Sequence, residues 1–228
     1  RLDGLPEANP WIPDIAAPTD YSPTIGVDDR LFAAGLVARS GSGMFWLPLY
    51  HDMGLIGGIL QPPYMGRPNL LMSPTHFLQR PVRWLQAISQ SGSTRSGRPN
   101  FAYDRCAEKV TAEQKRTLDL SRWSLAFNGA EPVRAETMDR FSKAFAECGF
   151  RREAFYPCYG LAEATLIVAG GYKQSEPVVQ SFDLHSLEKH EVVPVAKEAP
   201  HARELVGSGG NLLDQNIVIA PMSIVTLA

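Results

Sequence analysis

Residues 123–160, "WSLAFNGAEPVRAETMDRFSKAFAECGFRREAFYPCYG", set two short apolar runs on either side of a segment with helical spacing. "WSLAFNGAEPV" reads as a strand ending in a turn, and "EAFYPCYG" as a second strand. Between them, "RAETMDRFSKAFAECG" puts Met138, Phe141 and Phe145 on one stripe and offers Gly149 as its stop. Strand, helix and strand in this order predict a parallel βαβ unit, because parallel neighbours need a long crossover and the crossover helix covers one sheet face. The fold class is therefore α/β, with parallel sheets flanked by helices.

Around this unit, "MFWLPLY" reads as a buried strand closed by Pro48, and "HDMGLIGGIL" as a helix whose glycines cost stability and so imply tight packing. "NLLMSP" is a short buried strand. "THFLQRPVRWLQAISQ" is a helix with Phe77, Pro81, Trp84, Leu85 and Ile88 along one stripe and Pro81 in its first turn. Asn100 is expected as an N-cap, and Thr111 with Gln114 as a capping box. Residues 1–29 form an irregular connection into a weak helix at 30–39. From Pro177 the pattern changes to "EVVPV", "RELVG" and "NIVIA" between charged or glycine-rich turns. The expected division is an α/β core at 1–175 and the start of a β-rich subdomain at 176–228.

A chain of 228 residues, 44% of them apolar, can bury a core. Its 24 acidic and 22 basic residues are scattered without like-sign blocks, so no nucleic-acid footprint is visible. Cys106, Cys148 and Cys158 are odd in number and widely spaced, which suits neither a disulfide framework nor a zinc site and fits a reducing, cytoplasmic setting. No apolar run approaches the ~20 residues of a membrane span. Residues 1–18, proline-rich and acidic, are unlike a signal peptide. The G-x-S-x-G pattern of serine hydrolases does not occur.

In open α/β sheets ligands bind beyond the carboxyl ends of the strands. "NGAEP" (128–132) and "YGLAE" (159–163) both fall where a strand is expected to give way to a helix. Each holds a glycine that lets backbone approach a ligand and ends in a carboxylate near a helix start. Glu131 and Glu163 are either first-turn helix acids or site carboxylates. Glu163, among small and apolar neighbours, needs a positive partner if buried. Tyr159 is either a core aromatic or a flat ring on which a purine stacks. His51, followed by Asp52, is a core histidine, an Asp-oriented base, or a residue lining a substrate carboxylate path.

Taken together, "WLPLYHDMGLIGGIL", "PNFAYDRC", "LAFNGAEPVRAET", "GFRREAFYPCYGLAEATL" and "ELVGSGG" resemble the fatty acyl-AMP ligases, members of the adenylate-forming superfamily that includes acyl-CoA synthetases and peptide-synthetase adenylation domains. The similarity is dense over 44–171 and thinner to about 220. The resemblance implies part of the large N-terminal domain of the adenylate-forming fold. It implies that ATP and a fatty acid react to acyl-adenylate and pyrophosphate, with Mg²⁺ present, and that the acyl group passes to an acyl carrier protein or a polyketide synthase carrier domain. An acyl-CoA synthetase and a non-catalytic acyl- or nucleotide-binding fragment are the alternatives. Matched by motif, Tyr159, Gly160, Leu161 and Ala162, with Asn128, Gly129, Ala130 and Glu131, would line the nucleotide, Tyr159 stacking on adenine. Glu163 would engage Mg²⁺, and His51 would lie near the reacting carboxylate. Ser96, Gly97, Asn100 and Phe101 would border the acyl channel, where the resemblance puts a glycine in the place of Arg98.

The family's Ser/Thr/Gly-rich phosphate loop carries a lysine upstream of the histidine, yet no lysine precedes Lys109. The ribose-binding aspartate region, the hinge and the lid domain with its lysine are likewise not found. The chain is therefore expected to be an incomplete record of a longer ligase.

Overall fold

A computed structural model of the chain describes residues 42–171, 173–211 and 217. The connection expected at 1–29, the helix at 30–39 and, apart from Ile217, the strand "NIVIA" lie outside them. The elements run β1 (Gly43–Phe45), α1 (Asp52–Leu55), a π-helical turn (Ile56–Leu60), α2 (Gln61–Tyr64), β2 (Asn69–Leu71), α3 (Pro74–Gln79) and α4 (Val82–Ser91). Next come β3 (Arg95–Gly97), α5 (Asn100–Lys109), α6 (Ala112–Lys115), β4 (Leu125–Asn128), α7 (Ala135–Phe145), β5 (Phe155–Leu161) and β6 (Leu166–Gly170). β7 (Val179–Asp183), α8 (Leu184–Leu187), β8 (Ala202–Val206) and β9 (Gly210–Asn211) follow.

Among the described residues seven strands form one sheet in the order β2-β1-β3-β4-β5-β6-β9, parallel from β2 through β5 and antiparallel at β6 and β9. The predicted βαβ unit is β4–α7–β5, with Ala126 opposite Phe155 and Asn128 opposite Pro157. Helix α7 buries Ala135, Met138, Phe141 and Phe145, and a 3₁₀ turn then leads to Gly149. β7 and β8 pair in a separate two-stranded sheet, and Val179 and Val206 from it pack on the main core.

The period of two along each strand divides the apolar residues between two cores. On one face, Met44, Ala126 and Phe155 meet α4, α5 and α7 in an aromatic cluster of Trp84, Tyr103, Trp123 and Phe141. Ser96 belongs to this face: its hydroxyl accepts from Trp84 Nε1 at 2.9 Å and donates to the Met44 carbonyl at 2.5 Å. On the other face, Phe45, Leu125, Phe127, Tyr156 and Ile167 pack with Met53 and Ile56 of the helical segment that follows β1. That segment lies as close as its glycines suggest, for a Cβ on Gly54 would fall 2.1 Å from the Pro48 carbonyl oxygen.

Several expectations are corrected. "THFLQRPVRWLQAISQ" is two helices, because Pro81 disfavours helical geometry at Arg80, which adopts φ −151° and ψ 88°. "NLLMSP" is an edge strand with Leu70 and Leu71 exposed. Pro99, not Asn100, occupies the cap of α5, which frees the Asn100 side chain for the following loop. Of the strand-like pieces after Pro177, "RELVG" is β8, while "EVVPV" supplies only a bridge from Pro194 to Phe182. The capping box of Thr111 and Gln114 is present as read.

Candidate active site

The carboxyl ends of β4 and β5 and the start of α1 converge on a cavity of about 440 Å³. Six of the residues singled out in the sequence line it together: His51, Ala130, Tyr159, Gly160, Leu161 and Ala162. His51 caps α1, with Nδ1 2.7 Å from Asp52 Oδ1 and 3.2 Å from the Met53 amide nitrogen. Tyr159 is 52% exposed, so its ring is not a core aromatic and its face is open to a ligand.

The loop after β5 differs from expectation. Strand β5 runs through Tyr159 and Gly160 to Leu161, one 3₁₀ turn (Ala162–Ala164) follows, and β6 returns antiparallel. No helix starts at "YGLAE", and Glu163 is exposed on the 3₁₀ turn outside the cavity lining. Its charge therefore meets water and needs no buried partner. Gly160 is required here by close approach: a Cβ would fall 1.8 Å from the Leu166 carbonyl oxygen.

Asn128 and Gly129 lie behind the cavity wall, both buried. Asn100 ties this loop down. Its Nδ2 donates to Glu131 Oε1 at 3.0 Å and to the Pro132 carbonyl at 2.8 Å, while its Oδ1 accepts from Asn128 Nδ2 at 3.1 Å and from the Arg134 amide at 3.0 Å. Glu131 is thus a loop carboxylate held by an amide, not a first-turn acid of α7. Ser96, Gly97, Asn100 and Phe101 are not among the cavity's lining residues. Ser96 faces the opposite core, Gly97 lies under the Phe127 ring, and Phe101 packs edge-on against Trp46 and Phe77. Phe101 and Glu131 border a second recess of about 280 Å³ with Asp104, Arg105, Glu108 and Arg134.

The walls come from residues that motif reading passed over: Phe45, Met53, Leu125, Phe127, Cys158, Leu166 and Ile167, with Arg95 among them. Strand alternation was the available signal, since Arg95 shares its sheet face with Leu125 and Phe127. Burial, and then the nearby Arg67, lower the pKa of Arg95, and burial pushes the Cys158 thiol up to about 12. Arg98, on the opposite face, is fully buried, with its guanidinium 4.5 Å from the Trp46 ring centroid and its pKa lowered by burial to about 9.

The chain is similar to proteins of known activity. A medium-chain-fatty-acid–[acyl-carrier-protein] ligase of Teredinibacter turnerae is 44% identical over 174 residues, 76% of this chain and 27% of that protein. The corresponding ligase JamA of Moorena producens is 50% identical over 66% of this chain and 26% of its own length. A fatty acyl-adenylate ligase from L. pneumophila, solved with acyl adenylate and pyrophosphate, superposes with a TM-score of 0.77 at 48% identity, covering 80% of this chain and 32% of that one. The chain thus spans between a quarter and a third of the length of these relatives. Their shared architecture is the one described above, a mostly parallel sheet flanked by helices that forms part of the adenylate-forming fold. Residues 32–194, which include every wall of the cavity, match the AMP-binding enzymes, and the chain belongs to that family.

Proposed function

We propose that the chain supplies the acyl and adenine sides of the active site of a fatty acyl-AMP ligase. One observation carries this reading. A cavity with mostly apolar walls opens at the carboxyl ends of the parallel strands, where His51 and the exposed ring of Tyr159 share its rim. An acyl chain fits the walls, and a nucleotide fits the rim.

In the proposed reaction a carboxylate oxygen of the fatty acid attacks the α-phosphorus of ATP, the bond to the bridging oxygen breaks, and pyrophosphate leaves with that electron pair. The thiol sulfur of an acyl carrier protein, or of a polyketide synthase carrier domain, then attacks the acyl carbon, and AMP leaves. This chain's contribution is alignment and charge stabilisation. Tyr159 stacks on adenine, and Gly160, Leu161 and Ala162 form the backbone edge beside it. Ala130 shapes the facing wall, with Asn128, Gly129 and Glu131 holding its loop. His51, with Asp52 at its Nδ1, offers Nε2 to the reacting carboxylate or the α-phosphate oxygens.

Among the described residues no group of three or more His, Cys, Asp or Glu could hold a metal. A single exposed carboxylate such as Glu163 suits an ion that draws most of its oxygens from a triphosphate and from water, as Mg²⁺ does. Bound there, Mg²⁺ would neutralise phosphate charge. Among the described residues no helix is long and apolar enough to cross a membrane. A cytoplasmic setting, where ATP and carrier proteins are available, agrees with the proposed reaction. The divisions 1–175 and 176–228 are proposed as core and subdomain.

The test is pyrophosphate release from ATP by the full-length protein with hexanoic through hexadecanoic acids, followed by mass detection of acyl-adenylate. Formation of acyl-adenylate supports the reading, and adding holo-carrier protein or coenzyme A then identifies the acceptor. Absence of acyl-adenylate with every acid overturns it.

A further inference from the structure

One buried donor of the cavity wall, Gln61 Nε2, has no acceptor among the described residues. The helical backbone runs without a break from α1 through the π-helical turn into α2. Met53, Gly57 and Gln61 line the cavity at a spacing of four, on one face of that segment. His51 caps its start at the rim, and Gln61 opens α2 roughly 15 Å further along the helix axis. Beside this stripe the wall is apolar. A Cβ on Gly57 would stand 3.4 Å from the Phe45 ring, and Leu125 and Phe127 of the sheet lie with Phe45.

The other polar groups of the lining are accounted for. His51 and Asp52 engage each other at the rim, where Tyr50 and Tyr159 are exposed to water. The Cys158 thiol donates to the Asn128 carbonyl at 3.7 Å, and Arg95 is already engaged. Gln61 is 5% exposed, which denies its Nε2 the bulk water that serves a surface amide. Such a donor carries a desolvation penalty that a plain alkyl chain, with no acceptor, cannot relieve. A hydroxyl on the chain can relieve it, because it accepts from an amide N–H and donates to an amide carbonyl. The terminal torsion of glutamine is broad and two-fold, so the amide can turn either group to the chain.

We propose that Gln61 is a specificity-determining residue that reads an oxygen on the acyl chain, so that this pocket selects fatty acids bearing a hydroxyl group far from the reacting carboxylate. The inference rests on the ligase reading above and names its substrate class. The carboxylate sits at the His51 rim, and the chain runs along Met53 and Gly57 to the amide. With ~15 Å between the two ends and about 1.2 Å per extended bond, the hydroxyl stands beyond the third carbon even after both side chains reach inward.

The experiment measures kcat and KM for pyrophosphate release by the full-length protein with hexanoic through dodecanoic acids and with their hydroxy derivatives, the hydroxyl moved one carbon at a time from the carboxylate to the chain end. Titration calorimetry of the same acids without ATP runs beside it. At the position that fits, the hydroxy acid is preferred by about tenfold, the worth of a neutral hydrogen bond and the relief of an unpaired donor. The gain lies in KM and in affinity, since the contact is remote from the reacting atoms. Gln61→Met, unbranched and of similar length, abolishes the preference and raises turnover of the plain acid, a rise that a misfolded variant cannot show. Gln61→Leu carries the test if the methionine variant does not fold. Plain acids equal to or better than every hydroxy isomer, a preference confined to the second or third carbon, or a preference unchanged in the Gln61 variants overturns the inference and leaves the ligase reading standing. No turnover with any acid overturns the ligase reading, and the inference falls with it unless hydroxy-acid binding is still lost in the Gln61 variants.

Discussion

Asn100→Ala should cost about 3 kcal/mol of stability and loosen the loop that carries Ala130. Three of the four hydrogen bonds it removes end on exposed residues, Glu131, Pro132 and Arg134, and water replaces them at a cost of ~0.5–1 kcal/mol each. The fourth is not replaced as easily. Asn128 is fully buried and its Oδ1 already lacks a partner among the described residues, so losing Asn100 would also orphan its Nδ2, worth ~1–3 kcal/mol. Equilibrium urea unfolding measures the loss as a midpoint shift of about 1–2 M at unchanged slope, and hydrogen exchange of residues 128–134 should quicken. Asn100→Asp keeps the acceptor but sets a carboxylate against Glu131, so it should destabilise, and adding Glu131→Gln should recover about 1 kcal/mol or more by restoring a donor–acceptor pair. A cost below about 1 kcal/mol for Asn100→Ala, or no recovery in the double variant, would refute the idea that this network holds the loop.

Three further outcomes follow from single features. Glu163→Gln should lower kcat/KM for MgATP by about a hundredfold while fatty-acid affinity, read by calorimetry, stays within about twofold; equal losses in both would mean damage to the hairpin. Gly160→Ala should destabilise by about 2 kcal/mol or more through overpacking, seen as a lower Tm, because its Cβ would strike the Leu166 carbonyl that β6 presents. Arg98→Met should stabilise by about 2 kcal/mol, since a fully buried guanidinium whose Nε and Nη2 lack partners among the described residues gives way to an apolar side chain. Its pKa, lowered to about 9, gives the pH signature: above that pH the unfolded chain binds more protons than the folded one, so wild-type stability should rise with pH from there towards the ordinary arginine range, and the rise should vanish in the variant.

The β4–α7–β5 unit was legible because two periods, two and 3.6, agree along one stretch and each buries what it displays. The loop after β5 was misread because glycine followed by a carboxylate suits a helix start, whereas the fold uses Gly160 to admit the β6 backbone. Asn100 looked like a cap because of its residue type. Proline took that position, as its extended ψ of 165° allows, and the amide turned to the neighbouring loop instead. Tyr159 and His51 line one cavity, but not from strand ends as read: β1 stops at Phe45, so His51 caps α1 instead, and Tyr159 lies within β5. "SGRPNF", read by motif as bordering the acyl channel, lies outside the lining of that cavity, whereas alternation places Arg95, Leu125 and Phe127 in it.

That alternation decides what the two arginines of "TRSGR" can do. They are three residues apart, so a pleated strand sends them to opposite faces of the same sheet. Arg98 enters the closed aromatic core, packed over Trp46 and within reach of the Phe45 and Trp84 rings, where a ligand has no path and the charge can only cost stability. Arg95, 5% exposed, lines the open cavity on the other face instead. Removing Arg98 should therefore raise stability without changing which acid is chosen. A loss of stability in Arg98→Met would show instead that stacking of the guanidinium over the Trp46 ring outweighs its desolvation.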